Sequence, residues 1–228
     1  MACKPDIIGR TGLAFFGAMS SSNFHEINNA LAIINENGGL LGDLINMAND
    51  GKEIEIDKLC RVSSRIKNQV DRAKEIVKTI NRFSHSVEHS KLRVDLGETV
   101  AFVAHLAHRF AHMTGVEIRT NLTTDTVKIT TSPFFLENLV WLCLDFAMKV
   151  LGDEKIITIF VEYAGDRGLV RFSNLDRLTP EVFLAFKNKD ELAILNALEA
   201  EIDMDQEKME IFLSLPKRFS KNCSCSKI

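Results

Sequence analysis

The chain has 228 residues, of which 46% are hydrophobic and 26% are charged, a composition typical of globular rather than disordered proteins. A formal charge of −3 offers no basic field for nucleic acid, so the short Lys/Arg clusters are interpreted as solvated faces. The sequence has neither an apolar run of roughly 18 to 20 residues nor a signal peptide, which predicts a cytoplasmic protein that does not bind membranes.

The first ninety or so residues have the periodicity of two long helices. At about 100° per residue, most apolar residues of the first helix fall within one stripe. These residues are Phe16, Phe24, Ile27, Leu31, Ile34, Leu41, Ile45 and Ala48. The stretch 49–57 then interrupts the pattern with an Asn-Asp-Gly turn signal. In the second helix the apolar residues recur every three or four positions, at Leu59, Val62, Ile66, Val70, Ala73, Val77 and Ile80.

Two long helices joined by a short turn predict an antiparallel hairpin. Its apolar seam is too broad for one neighbouring helix to cover, whereas two hairpins packed as a four-helix bundle would bury it. We therefore expect a homodimer, and we expect its core to be the hairpin of residues 11–89.

After the hairpin the pattern changes to shorter helices that alternate with β-rich segments. A helix over 97–113 precedes strands over 116–122 and 127–131, and a largely buried helix then begins near Pro133. A β-hairpin with its turn at 165–168, a helix near 189–200 and a strand over 209–216 complete a predicted α/β sandwich.

The predicted fold class is therefore α+β, with a helical domain, an α/β domain and a tail over 1–92, 93–217 and 218–228. The tail carries Cys223 and Cys225. A zinc site needs about four ligands, so this incomplete pair is interpreted as free thiols.

Three of the histidines, His105, His108 and His112, would line one polar face of the predicted 97–113 helix. They could bind a transition metal, but no carboxylate lies among them, and a solvated face is the favoured interpretation. His85 and His89 end the second helix, where positive charge suits the helix dipole.

His25 differs from these, because it lies about 160° from the centre of the apolar stripe. Asn29, one turn later, shares this outward face, as do Ser22 and Glu36. An imidazole in water is mostly neutral at pH 7, so one ring nitrogen can act as a nucleophile. Glu26 could accept a hydrogen bond from the other nitrogen, and Asn29 could hold a water or an oxygen of a bound group. A zinc protease motif is excluded, since it would need histidine at position 29.

The segment "FHEINNALAIINENGGLL" resembles the phosphoacceptor motif of two-component histidine kinases, H-E-[ILMF]-[RN]-[NT]-P-L. The resemblance places His25 at the phosphorylated position, Glu26 at the adjacent acid and Asn29 at the polar residue one turn later. Ala30 replaces the usual proline, which removes a kink but no chemical group. The resemblance covers about residues 10–216 and implies a dimeric hairpin followed by an ATP-binding domain.

In the second domain the nucleotide motifs of that family are missing. Leu142 and Phe146 stand at the positions of the asparagine that ligates Mg²⁺, and neither carries an oxygen. In "FSNLDRLTPE" the family's Asp-x-Gly-x-Gly is replaced at Ser173, Leu175 and Arg177. The glycine-rich lid is also absent, since "KNKDELAILNALEAEID" has no glycine to bring backbone amides close to phosphates. We therefore expect no ATP binding and no resident cofactor.

The resemblance then implies a histidine phosphotransferase of a bacterial phosphorelay. His25 would carry a phosphoryl group between the aspartates of response-regulator receiver domains, and the receiver would supply Mg²⁺. Two alternatives stay open: a response-regulator phosphatase that uses Glu26 and Asn29, and a non-catalytic dimeric adaptor, or pseudo-histidine kinase. An unusual active kinase is a remaining possibility.

Overall fold

The computed structural model describes residues 4–122, 126–187 and 189–218. Contacts divide the chain into two compact units, a helical unit of residues 20–84 and an α/β unit that combines the residues up to Met19 with those from His85 onward. The predicted order, a helical hairpin followed by an α/β part, is confirmed. The predicted domain boundary at residue 92 stays a prediction.

Two long helices form the hairpin, α1 (Lys4–Asn49) and α2 (Ile56–His85). The predicted turn between them is confirmed, and Gly51 adopts the left-handed conformation there with φ 78°. Its N–H donates to the Ala48 carbonyl, and the Lys52 N–H donates to the Met47 carbonyl, so both bonds satisfy carbonyls at the end of α1.

Within the helical unit, α1 turns a face of mainly small or polar side chains toward α2. The buried residues of that face are Ser22, Ala30, Asn37 and Leu44, and those of α2 are Val62, Ile76 and Phe83. The sequence predicts that Ser22 faces outward. This expectation is wrong, because Ser22 is buried. Phe24, Leu31 and Ile45 of the predicted apolar stripe remain exposed, because the stripe lies beside the face that contacts α2.

The α/β unit contains five shorter helices and seven strands in its described residues. The helices are α3 (Leu96–Leu106), α4 (His108–Thr114), α5 (Pro133–Lys149), α6 (Pro180–Phe186) and α7 (Lys189–Leu198). The strands are β1 (Leu92–Asp95), β2 (Glu117–Leu122), β3 (Lys128–Thr131), β4 (Ile156–Ala164), β5 (Arg167–Ser173), β6 (Glu201–Asp205) and β7 (Glu210–Pro216).

A mixed five-stranded sheet in the order β2-β4-β5-β7-β6 forms one layer of the α/β unit, and β1 pairs separately with β3. Strand β4 is parallel to β2 and antiparallel to β5. Its alternate residues Ile157, Ile159 and Val161 are buried, as expected for one covered face. Helix α5 is buried along most of its length, as its apolar sequence predicted.

One predicted helix of the α/β unit is wrong in its bounds, and another helix was not predicted. The helix expected over 97–113 is divided into α3 and α4 at Ala107, whose N–H still donates to the Val103 carbonyl. The segment before α7 forms the additional helix α6, which begins with Thr179 as its N-cap and Pro180 in its first turn. No helix in the described residues is long and apolar enough to cross a membrane.

Candidate functional site

His25 and Asn29 are both exposed on α1, one turn apart. Ala30, one position after Asn29, is fully buried against α2. Since successive residues of a helix are about 100° apart, His25 and Asn29 point away from the face that contacts α2. Helix α1 continues without interruption through Ala30, where the related motif has proline. The predicted outward position of His25 and Asn29 is confirmed.

Glu26 faces α2 rather than the His25 ring. Its Oε2 accepts a hydrogen bond from Nη2 of Arg72 at 3.3 Å, and its side chain is only 19% exposed. Arg72 lies on α2 and was not identified from the sequence. The described contacts therefore place Glu26 with a cation of the second helix and leave the His25 ring open to solvent.

A polar groove of about 650 Å³ lies between α1 and α2. Its lining residues follow Glu26 along α1 and precede Arg72 along α2. We call it the polar groove and define it by Glu36, Asn37 and Asp43 of α1 with Arg65 and Gln69 of α2. Asn37 is buried and its Nδ2 donates to the Ile33 carbonyl at 2.7 Å, whereas the buried Oε1 of Gln69 accepts no hydrogen bond from the described residues.

His25 and Arg72 lie on the same side of the hairpin as the polar groove. His25 precedes Glu36 by eleven residues, and Arg72 follows Arg65 by seven. Eleven and seven residues are close to three and two helical turns, so each pair shares a helix face to within about 20°. The candidate site therefore combines an exposed imidazole, an exposed amide and a guanidinium above an open polar groove.

The other side of the hairpin carries an apolar groove of about 550 Å³. We define this apolar groove by Ile27, Leu31 and Ile34 of α1 with Val70, Ala73 and Val77 of α2; Lys74 and Lys78 also line it. Leu31 is 52% exposed and Val77 is 44% exposed. The two faces of the hairpin thus differ in chemistry, one polar beside His25 and one apolar.

In the α/β unit, aromatic and aliphatic side chains fill the positions of the missing nucleotide motifs. The Phe146 ring stacks on Phe186 of α6, with centroids 4.4 Å apart at 23°, and Phe183 lies 6.5 Å away. Leu175 is fully buried, and Ser173 is buried with its Oγ donating to the Thr158 carbonyl at 3.4 Å. Phe146 and Leu175 carry no side-chain oxygen that could ligate Mg²⁺.

The remaining histidines do not form a metal site among the described residues. His105 lies on α3, while His108 and His112 lie on α4, where their rings are stacked with centroids 6.3 Å apart. The helix expected to carry all three is divided at Ala107, and their shared face stays a prediction. His85 ends α2, and its Nδ1 lies 2.8 Å from a Glu88 carboxylate oxygen.

Two of the cysteines can be described. Cys60 is exposed, whereas Cys143 is buried in α5, and burial raises the pKa of its thiol. The Cys223 and Cys225 pair lies outside the described residues. Neither described thiol lies among the residues that form the candidate site.

No family model matches the chain, and no curated protein matches it. Among solved structures, the chain is similar to the histidine kinase AdeS of Acinetobacter baumannii, with 14% identity, 85% of this chain and 98% of that chain covered, and a TM-score of 0.46. It is also similar to a bacterial phosphotransferase, with 13% identity, coverages of 88% and 95%, and a TM-score of 0.42. At these identities and scores, neither likeness supports a conclusion about activity.

Proposed function

We propose that the protein is a histidine phosphotransferase that moves a phosphoryl group between response-regulator receiver domains through His25, without binding ATP. The observation that carries this proposal is the exposed His25 ring beside the exposed Asn29 amide, on the polar side of a helical hairpin. A nucleophilic imidazole has to reach a partner's active site, and this position leaves it free to do so.

The reaction proceeds in two balanced transfers. A ring nitrogen of His25 attacks the phosphorus of an aspartyl phosphate, the acyl phosphate P–O bond breaks, and the aspartate leaves as a carboxylate. The other ring nitrogen loses its proton to solvent. The other ring nitrogen takes a proton back from solvent, attack by the aspartate of a second receiver breaks the P–N bond, and neutral imidazole is regenerated. Mg²⁺ belongs to the receiver, so His25 needs only correct placement and nearby positive charge.

The polar groove is the proposed docking surface for the receiver. Glu36 and Asp43 on α1 and Arg65 on α2 form no ion pair within the described chain. Their charges are therefore available to a partner that presents the complementary pattern. The groove lies on the same side as His25, so a receiver bound there would have its aspartate near the ring.

A second copy of the chain is the proposed occupant of the apolar groove. Of its six lining aliphatic residues, Leu31 and Val77 are exposed and the other four are half-buried. Packing two hairpins through this face would make a four-helix bundle and bury the exposed stripe. The polar sides, with His25, would then stay accessible on each copy.

The direct test uses receiver domains that carry radioactive phosphate on their aspartate. After mixing, the label should appear on this chain as an acid-labile, base-stable phosphate, and a second unlabelled receiver should remove it. A non-catalytic adaptor would bind the receivers without taking up label. If no receiver that binds tightly transfers its label to this chain, the proposal is wrong.

The protein is expected not to bind Mg-ATP with useful affinity. Phe146 stacks on Phe186, and the buried Leu175 stands where the related motif has glycine, so the nucleotide would have to displace packed side chains. Titration calorimetry with Mg-ATP should give no heat of binding at micromolar concentrations. A micromolar dissociation constant would instead favour an unusual active kinase.

A response-regulator phosphatase is the second candidate function. The Asn29 amide is exposed, makes no hydrogen bond within the described chain, and is able to orient a water against a receiver's aspartyl phosphate. Under the phosphotransferase proposal, Asn29→Ala should leave transfer to His25 largely intact and slow any loss of phosphate from the receiver several-fold. Hydrolysis that continues at full rate in His25→Ala but stops in Asn29→Ala would establish the phosphatase instead.

A further inference from the structure

Arg72 of α2 pairs with Glu26, the residue that follows His25, and most of its guanidinium N–H groups make no hydrogen bond within the described chain. Its one contact in the described chain is a single bond from Nη2 to Glu26 Oε2 at 3.3 Å, and its side chain is 48% exposed. A guanidinium has five N–H donors in a planar fork, so four remain available. Glu26 immediately follows His25 in the chain, so the ion pair keeps the Arg72 head group close to the base of the His25 side chain.

The other basic residues of this part of α2 are less well placed. Lys74 and Lys78 line the apolar groove on the opposite side of the hairpin, and each also lies near an acidic residue of its own helix. Arg65 lies seven residues, about two turns, from Arg72. By helical position, Arg72 is therefore the cation of α2 best placed to reach a group attached to His25.

A phosphoryl group on His25 would add negative charge beside the Glu26 carboxylate, and the Arg72 guanidinium is able to neutralise that charge. Such a group carries about −1.5 to −2 charges near neutral pH. The adjacent Glu26 carboxylate would repel it, and the exposed Asn29 amide carries no charge. Guanidinium binds phosphate oxygens through parallel, charge-assisted hydrogen bonds, which are stronger than bonds between neutral groups.

We propose that Arg72 binds the phosphoryl group on His25, with Glu26 acting as the tether that holds the guanidinium in place. This inference rests on the proposed phosphotransfer through His25. Arg72 lengthens the lifetime of the phosphohistidine, since positive charge beside the phosphoryl group disfavours the protonation that makes the P–N bond labile. Glu26 therefore positions the Arg72 guanidinium, instead of accepting a hydrogen bond from the second ring nitrogen of His25.

The test needs no receiver. Phosphoramidate transfers its phosphoryl group to an exposed imidazole, breaking its own P–N bond and releasing ammonia as a new P–N bond forms on the ring. The full chain, Arg72→Ala and Arg72→Lys are phosphorylated in this way, and the loss of phosphohistidine is followed by phosphorus NMR from pH 5 to pH 9. Lys67→Ala is the matched control, since Lys67 is another exposed basic residue of α2 and lines neither groove.

Arg72→Ala is expected to shorten the phosphohistidine half-life about three- to tenfold and to move the onset of acid hydrolysis to higher pH. Arg72→Lys should recover part of the lifetime, Lys67→Ala should match the original chain, and Glu26→Gln should give a smaller loss than Arg72→Ala. If the original chain takes no label on His25, both the proposed function and this inference fail. If it is labelled but its lifetime and pH profile are the same in Arg72→Ala, only the inference is overturned.

Discussion

His25→Ala is expected to abolish uptake of a phosphoryl group from phosphorylated receivers and to leave the fold unchanged. The imidazole is the nucleophile, so no residual transfer should remain. The His25 side chain is exposed and makes no hydrogen bond within the described chain, so the free energy of unfolding should change by no more than about 0.5 kcal/mol. Label transfer followed on gels and urea unfolding followed by circular dichroism measure the two effects.

The matched control for this experiment is His85→Ala. His85 is another exposed histidine, lies next to Glu88 at the end of α2, and does not line the polar groove. It should accept no label, so its replacement should leave transfer at the original level. Labelling that survives in His25→Ala would mean that another histidine is the acceptor. Loss of folded structure in that variant would mean that His25 has a structural role.

The double variant Leu31→Glu, Val77→Glu is expected to convert the proposed dimer to a folded monomer. Both side chains line the apolar groove and are about half exposed in the single chain, so glutamate at these positions is solvated in a monomer. In the proposed four-helix bundle the same carboxylates would be buried without partners, which costs several kcal/mol. Sedimentation velocity at several concentrations should show half the original mass.

Leu40→Glu is the control for this dimer experiment. Leu40 is also an exposed leucine of α1, but it lines the polar groove on the opposite side. This variant should remain dimeric. If the double variant sediments as a normal dimer, the apolar groove is not the dimer interface. If Leu40→Glu becomes monomeric while the double variant stays dimeric, the polar groove rather than the apolar groove is the dimer interface.

The hairpin was largely predictable from its sequence because helical periodicity and turn chemistry are local properties. The spacing of apolar residues marked both helices, and the Asn-Asp-Gly signal marked the turn in which Gly51 adopts positive φ. The face by which α1 contacts α2 was less predictable. Ser22, Ala30 and Asn37 are buried there, although the larger apolar residues lie beside them.

In the candidate site, His25 and Asn29 followed from helical spacing, whereas Arg72 did not. The partner of Glu26 depends on the register between α1 and α2, and several basic residues of α2 were equally plausible from sequence alone. In the α/β unit, Thr179-Pro180-Glu181 was an available helix-start signal for α6 that was not used. The break at Ala107 has no such signal, since neither glycine nor proline lies nearby.

The stacking of Phe146 on Phe186 also bears on the energetics of signalling. A chain that holds no nucleotide, as proposed here, contributes no free energy of hydrolysis to the phosphoryl group that it carries. It only speeds the approach to equilibrium between two pools of receiver. Net flow is then set by the ratio of phosphorylated to unphosphorylated protein in each receiver pool, compared with the equilibrium constant for transfer between them. It reverses when the downstream ratio rises above its equilibrium value.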